Sequence, residues 1–321
     1  MRLGIAKFRG GQSNPTYLID AGGHRYILRR KPPGALVASA HDIEREYRVI
    51  TAMSGTAVPV PRTYLYCHDA DVIGSEFYVA DYVEGRVFWD ADMPGVSSLE
   101  RGAAYDCMNA TLAHLHRVDC DSIGLGWLGR TDSYVARNLA RWSKIYAHSR
   151  LGEIPDMDWL TAALAERIPV QTATTLIHGD YGLYNLILHP REPRVLAVLD
   201  WEMVTTGDPF VDLAHHLRAW WEIPDDTGAA TSLGGLNLHA LGIPRMEDYI
   251  ALYCQRRAVP LPDMQFYLGY AQFRYAAMIQ GILKRAHDGT SSARKVLHNQ
   301  DRVIALASLA RRTLEDGSRR C

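Results

Sequence analysis

His178-Gly179-Asp180, with Asn185 five residues past the aspartate and Val198-Leu199-Asp200-Trp201-Glu202 after it, is the stretch on which the reading of this chain turns. It sets two carboxylates and an amide where transfer of a phosphoryl group needs them. An acidic residue on a tight loop accepts or orients the proton of an attacking hydroxyl. The amide, and a second carboxylate closing the apolar run Val195, Leu196, Ala197, Val198, Leu199, are oxygen donors suited to the magnesium ions that bridge nucleotide phosphates. The run itself reads as a buried strand. The competing reading is a plain strand-end turn, with Asp180 as a cap and Asn185 as a turn residue, so the rest of the chain has to discriminate.

At 321 residues, 47% hydrophobic and 22% charged, the chain is long enough for a large core divided between two lobes or domains. A formal net charge of -1 offers no general attraction for nucleic acid or an anionic membrane, so an anionic ligand must be held by local groups. The opening residues, Met1 to Arg9, lack the uninterrupted apolar segment of a signal peptide, and no run approaches membrane-spanning length. The expectation is a soluble, cytoplasmic protein with neither nucleic-acid nor membrane partner. Five cysteines (Cys67, Cys107, Cys120, Cys254, Cys321) are scattered with no C-x-x-C pair, which predicts reduced thiols rather than a disulfide framework or structural zinc.

The first 84 residues predict a small β-rich lobe with one helix. Arg2 to Phe8 reads as a strand, Gly10-Gly11-Gln12-Ser13-Asn14 as a turn, and Thr16-Tyr17-Leu18-Ile19 as a second strand. Ala21-Gly22-Gly23 closes a hairpin into Tyr26-Ile27-Leu28-Arg29-Arg30. Ser39, with Asp42 three residues on, is a candidate cap for a helix carrying Ile43, Tyr47 and Ile50 on one face. Strands follow near Thr63 to His68 and Glu76 to Val83. The glycine turn admits two readings: backbone N–H groups exposed to phosphate oxygens, with Ser13 and Asn14 adding donors, or an ordinary hairpin turn. Arg29 lies inside its strand, whereas Lys31 abuts the Pro32-Pro33 break; Arg29 is therefore the better candidate for a phosphate-facing cation. Glu46, on the following helix, either fixes that cation by an ion pair or makes a surface helix pair.

From about Glu84 onward the pattern is mainly helical. Ser97-x-x-Glu100 is a capping box opening a helix with Ala104, Met108, Leu112 and Leu115 on one side. His114 and His116, near its end, point to different faces, which predicts surface or capping roles rather than metal ligation. Further helices are predicted over Asp132 to His148, Asp156 to Ile168, Asp208 to Trp221, Met246 to Arg257, Asp263 to Ala286 and Arg294 to Leu314, with Phe266, Tyr270, Phe273 and Ala277 as a core stripe. Thr227 to Leu241 has no periodicity and reads as a loop, either a lid or acceptor-binding element or merely mobile.

The H-x-D-x-x-x-x-N pattern followed by Asp200 is that of protein kinases, with Gly179 where they carry Arg and Trp201-Glu202 where they carry Phe-Gly. With Gly10 to Tyr17, Leu28 to Gly34, Glu44 to Val49 and Tyr82 to Trp89, the chain resembles the aminoglycoside phosphotransferase superfamily over essentially its whole length. It looks closest to the branch found alone in bacteria or fused ahead of acyl-CoA dehydrogenases. The resemblance implies an α+β, bilobal protein-kinase-like fold, with a nucleotide-binding lobe over 1–84 and a mainly helical catalytic and acceptor-binding lobe over 85–321. It implies a small-molecule kinase using ATP and Mg2+, with a hydroxy-acid or hydroxy-acyl-CoA acceptor. The alternatives are an aminoglycoside, choline or homoserine-type kinase, or a nucleotide-binding pseudokinase.

Carried over by position, the resemblance makes Asp180 the catalytic carboxylate, Asn185 and Asp200 the metal ligands, and Arg29 the phosphate-binding cation with Glu46 its partner. The turn Gly10, Gly11, Gln12, Ser13, Asn14 covers the phosphates, and Ala80 to Val83, including Asp81, is the hinge whose backbone meets adenine. Asp212 matches an aspartate that holds the catalytic loop through its N–H groups, and Asp208 caps the next helix. One departure stands out. Close relatives usually carry Phe-Arg-Leu-Asp between the catalytic Asp and the Asn, whereas this chain has Tyr181-Gly182-Leu183-Tyr184.

Overall fold

A computed structural model describes residues 3–8, 14–32, 42–129, 132–222, 232–289 and 299–318. Strands β1 (Leu3–Lys7), β2 (Thr16–Ala21) and β3 (His24–Arg30) run antiparallel, helix α1 (Ile43–Met53) follows, and β4 (Thr63–Cys67) and β5 (Phe77–Asp81) complete a sheet of order β1-β2-β3-β5-β4. Insertion of β5 beside β3 pairs Arg29 with Tyr78 and Tyr26 with Asp81. The helix packs on one sheet face through Ile43, Glu46, Val49, Ile50 and Met53. Its cap is Asp42, whose side chain accepts from the Arg45 N–H, rather than Ser39, which lies outside the described residues. A carboxylate at that position meets both the unpaired amides and the positive end of the helix dipole.

The chain leaves this lobe along Tyr82 to Arg86 and crosses to the second. Gly85 is required there. A Cβ would collide with the Ile187 side chain and stand 2.5 Å from the Leu188 carbonyl. The close approach lets Arg86 and Leu188 exchange two backbone hydrogen bonds of 2.8 Å, tying the crossing to the loop that carries Asp180.

The second lobe is built on helices α2 (Ser98–Leu115), α3 (Tyr134–Ser149) and α4 (Pro155–Glu166), the strands β6 (Thr175–Ile177), β7 (Leu186–Leu188), β8 (Val195–Val198) and β9 (Thr205–Gly207), and then α5 (Pro209–His216), α6 (Arg218–Trp221), α7 (Leu238–Leu241), α8 (Met246–Arg257), α9 (Met264–His287) and α10 (Gln300–Ser318). The capping box of α2 forms in both directions between Ser97 and Glu100. Ala104, Met108, Leu112 and Leu115 are buried, as are Phe266, Tyr270, Phe273 and Ala277 of α9. The helix expected over Asp208 to Trp221 breaks at Leu217 into α5 and α6. Residues 232–241 of the expected loop end in α7; Thr227 to Thr231 lie outside the described residues, as does Arg294. No helix among the described residues is long and apolar enough to cross a membrane. Cys67, Cys107, Cys120 and Cys254 are free thiols.

Candidate functional site

Two short antiparallel pairs place the key loops side by side. Strand β6 pairs with β9 and delivers His178-Gly179-Asp180, while β7 pairs with β8 and delivers Asn185 and Asp200. Leu199 donates its N–H to the Asn185 carbonyl at 2.8 Å, so the amide and the second carboxylate issue from adjacent chains.

The Asp180 loop is held from behind. Asp212, fully buried on α5, accepts the N–H groups of His178 (2.7 Å) and Gly179 (2.9 Å). Burial opposes its ionisation, but His116 and the two loop amides outweigh this and hold its carboxyl below the usual range. His116 meets Asp212 through Nε2 at 3.2 Å and the Tyr253 hydroxyl through Nδ1 at 2.5 Å. His116 is the C-cap of α2, its N–H bonding the Leu112 and His114 carbonyls, as the capping reading expects, but it is not at the surface. Its ring is a buried strut between α5 and α8, while His114 is exposed. Gly179 is obligatory: its φ is +83°, and a Cβ would lie 2.8 Å from the Met203 carbonyl. The His178 ring spans the loop, donating from Nε2 to the Leu199 carbonyl (2.9 Å) and accepting the Asp180 N–H on Nδ1 (3.3 Å).

Asp180 emerges with its carboxylate surrounded by donors. Tyr184 Oη lies 2.7 Å and His215 Nε2 3.0 Å from Oδ1, and Asn185 Nδ2 lies 3.1 Å from Oδ2. Burial alone would raise this carboxyl, yet the bonds from His215 and Tyr184 outweigh it, so it is held far below its ordinary value and is ionised. His215 is itself pushed down by burial, which its bond to Asp180 only partly offsets. It therefore serves at neutral pH as an N–H donor, and of its two lowering effects on Asp180 the hydrogen bond is the larger and its charge when protonated the smaller.

The other carboxylate, Asp200, comes from the neighbouring loop after β8. Asp200 adopts a left-handed conformation (φ 63°, ψ 62°), uncommon outside glycine, which turns it out of the β8 direction. Trp201, wholly buried, locks the bend by donating to the Val198 carbonyl at 3.0 Å. Arg29 reaches over from β3: Nη2 is 2.8 Å from Asp200, Nε 3.1 Å from Glu46, and Nη2 3.9 Å from Glu202. The Glu46 contact is an ion pair without the alignment of a hydrogen bond. Burial pushes Glu46 up to about 7 against the pull of Arg29. Burial would lower Arg29, but Glu46, Tyr78 and Asp200 hold it firmly protonated. Lys31 instead turns outward to Glu76 at 3.8 Å.

At the hinge, Asp81 spends its backbone N–H on Arg62 and its carboxylate on the Tyr64 hydroxyl (2.5 Å), and the backbone of Val83 meets no protein partner among the described residues. Asn14 is buried with neither end of its amide paired among the described residues. Gly10, Gly11, Gln12 and Ser13 lie outside the described residues.

Spacing did not reveal His215, Arg218 or Arg274. His215 follows Asp212 by one helical turn, so the two share a face of α5; that was the available signal. Arg218 stacks over the Tyr184 and Tyr275 rings at 5.7 and 5.2 Å and pairs with Glu222 at 3.2 Å. Arg274, from α9, approaches the Gly179 carbonyl at 3.4 Å. Beside Asp180 a narrow pocket of about 40 Å³, open to solvent on one side, is walled by Trp89, Tyr105, Tyr181, Tyr184, Arg218 and Trp220.

Oxygen donors from Asn185 and Asp200 fit a hard cation such as Mg2+, which takes one or two carboxylates and completes its shell with phosphate and water. No cluster of three His, Cys, Asp or Glu forms an all-protein metal cage among the described residues. The Asn14 amide, unpaired among the described residues, fits a phosphate or ribose partner.

A family model described as the phosphotransferase enzyme family matches residues 4–249. The chain is 40% identical over 320 residues to acyl-CoA dehydrogenase family member 11 of Rattus norvegicus, covering 97% of this chain and 41% of that protein. It is 38% identical over 307 residues to acyl-CoA dehydrogenase family member 10 of Mus musculus, covering 95% and 29%. The chain thus spans well under half the length of these curated relatives. A solved structure from Ralstonia eutropha, assigned to the aminoglycoside phosphotransferases, superposes with a TM-score of 0.89 at 42% identity, over 98% of this chain and 93% of its own. A thermostable mutant of aminoglycoside phosphotransferase APH(4)-Ia, in ternary complex with ADP and hygromycin B, gives a TM-score of 0.63 at 16% identity over 98% and 94%, a likeness of fold alone. The fold is the α+β, bilobal, kinase-like one of these phosphotransferases.

Proposed function

Because this chain belongs to the phosphotransferase enzyme family, we propose that it transfers the γ-phosphoryl group of ATP, with Mg2+, to a hydroxyl on a small molecule with an acyl or hydroxy-acid body. The observation that carries this reading is the ionised Asp180 carboxylate beside an aromatic pocket, across from the Arg29, Glu46 and Asp200 cluster. In this reading residues 1–84 hold the nucleotide and 85–321 the acceptor. Val83 and the Asp81 carbonyl meet adenine, Asn14 and the turn from Gly10 cover the phosphates, and Arg29 steers them. Asn185 and Asp200 would hold Mg2+, which when bound offsets phosphate charge. Asp180 orients the acceptor hydroxyl and takes its proton, so that most of the catalysis is positioning.

The pocket favours an uncharged or anionic acceptor. Arg218, His215 and His216 line it together with aromatic rings, and no aspartate or glutamate lines it among the described residues. A polycationic aminoglycoside would need such carboxylates as charged hydrogen-bond partners. Solved neighbours hold ADP or AMP-PNP, which supports nucleotide use. The test is an ATP-consumption screen over hydroxy-acids, hydroxy-acyl-CoAs and aminoglycosides, with and without Mg2+. Activity confined to aminoglycosides would overturn the acceptor class, and none with any acceptor would favour a nucleotide-binding protein without transfer.

A further inference from the structure

We propose that Tyr184, with His215, is a positioning residue that gives the two oxygens of Asp180 different tasks, and that Gly182 is glycine in order to admit the Tyr184 ring; the inference rests on the phosphotransfer reading of Asp180. A carboxylate oxygen accepts along two lone-pair directions. Oδ1 already receives Tyr184 Oη at 2.7 Å and His215 Nε2 at 3.0 Å, so it is filled. Oδ2 receives Asn185 Nδ2 at 3.1 Å, and no second donor reaches it among the described residues. The acceptor hydroxyl is therefore received at Oδ2, and its proton passes there as its oxygen bonds the γ-phosphorus and the bond from that phosphorus to the β–γ bridging oxygen breaks, releasing ADP.

The ring of Tyr184 reaches this place because residue 182 has no side chain. A Cβ at Gly182 would stand 2.6 Å from Tyr184 Cε1, 2.9 Å from Cζ and 3.2 Å from Cδ1. Its φ of -161° is extended backbone that any residue adopts, so the requirement is room and not conformation. The Tyr184 ring could escape a methyl group by rotating, but only by giving up its bond to Asp180. The Arg218 guanidinium, over the ring at 5.7 Å and paired with Glu222, holds the other side. Two of the three positions at which this loop departs from its relatives, 182 and 184, thus form one unit. Tyr184 also walls the acceptor pocket, which couples acceptor shape to the set of the carboxylate.

The experiment compares the full chain with Asp180→Asn, Tyr184→Phe, Gly182→Ala, Tyr184→Ala and the Gly182→Ala/Tyr184→Ala double variant. Turnover of MgATP is read with water as acceptor and with any hydroxy-acid found active, together with the KM for ATP and the melting temperature. Tyr184→Phe, which keeps the ring, is expected to lower kcat roughly tenfold with the KM for ATP unchanged, as for loss of one hydrogen bond to a charged group. Gly182→Ala should lower kcat similarly in the native background and add nothing once Tyr184 is alanine. Wild-type or faster turnover by Tyr184→Phe, with Asp180→Asn impaired, would overturn the proposal and make Tyr184 a blocker of the acceptor place. Additive losses from Gly182→Ala and Tyr184→Ala would overturn the coupling of the two. If Asp180→Asn turns over as the wild type does, the phosphotransfer reading of Asp180 itself fails, and this proposal with it.

Discussion

The two carboxylates delivered by these neighbouring loops live in opposite surroundings. Asp180 is met by neutral donors, Tyr184, His215 and Asn185, with the cations Arg218 and Arg274 behind them. Asp200 shares the guanidinium of Arg29 with Glu46 and Glu202, so three carboxyl groups gather at one cation there. Gathered carboxyl groups suit a cation; a carboxylate already satisfied by neutral donors suits a hydroxyl that must be oriented without being displaced. In the proposed reaction that difference would divide a place for the metal-bound nucleotide from a place for the acceptor.

The sharpest attempt to break that division is Asp180→Asn. The amide is nearly isosteric but a poor base, so kcat should fall by roughly 10²–10⁴-fold while nucleotide affinity stays nearly unchanged. Near-normal turnover with a confirmed acceptor would remove Asp180 from the chemistry. For the other carboxylate, Asp200→Ala should abolish the contribution of Mg2+ to ATP affinity and leave the fold intact, since this carboxylate is partly exposed. Calorimetric titration with ATP, with and without Mg2+, checks it. An unchanged magnesium effect would mean that the carboxyl groups around Arg29 have another purpose.

A smaller effect is expected from the pH dependence of the acceptor wall. His216 is buried among Tyr181, Trp220 and Tyr249, and burial pushes it down to about 4. The unfolded chain binds its proton near 6.5, so between these values the unfolded state holds more protons and is favoured as pH falls. Stability from this group is present above pH 6.5 and is lost towards pH 4, by about 2 kcal/mol between pH 7 and pH 5. His116 and His215 are also pushed down by burial and act in the same direction. Denaturant unfolding of wild type and His216→Phe at both pH values isolates the term: the variant should lose less on acidification, and equal losses would place His216 in a more polar setting than this.

The smallest effect is expected from Glu46→Gln. With Glu46 pushed up to about 7, the carboxyl is already near half protonated at neutral pH, and Arg29 keeps its contact with Asp200. The KM for ATP should rise only about fivefold, roughly 1 kcal/mol. A loss as large as that of Asp200→Ala would show that the Arg29–Glu46 pair and not Asp200 sets the nucleotide end.

What was legible beforehand was what is local. The capping box at Ser97 and Glu100, the buried stripes of α2 and α9, and the strand position of Arg29 relative to Lys31 all follow from periodicity and from which backbone groups a short segment leaves unpaired. The loop from His178 to Asn185 was legible for the same reason, since its chemistry is packed into eight residues. Helix starts were less secure: Ser39 read as the cap with Asp42 three residues on, whereas Asp42 itself caps α1, with Ile43 and Glu46 packed against the sheet.

The sequence by itself determined the element order of the first 84 residues, the apolar faces and the pairing of an acidic loop with an acidic strand end, because each rests on contacts between near neighbours. Only the tertiary structure decided that His116, from α2, would brace Asp212 on α5, that His215 would reach Asp180, and that Arg218 would cover Tyr184. Those contacts join segments tens of residues apart and depend on how helices pack, and packing leaves no spacing in a single chain from which they could be read. The room at Gly182 is of the same kind: its φ is ordinary, and the need for glycine exists only once the Tyr184 ring has been laid against it.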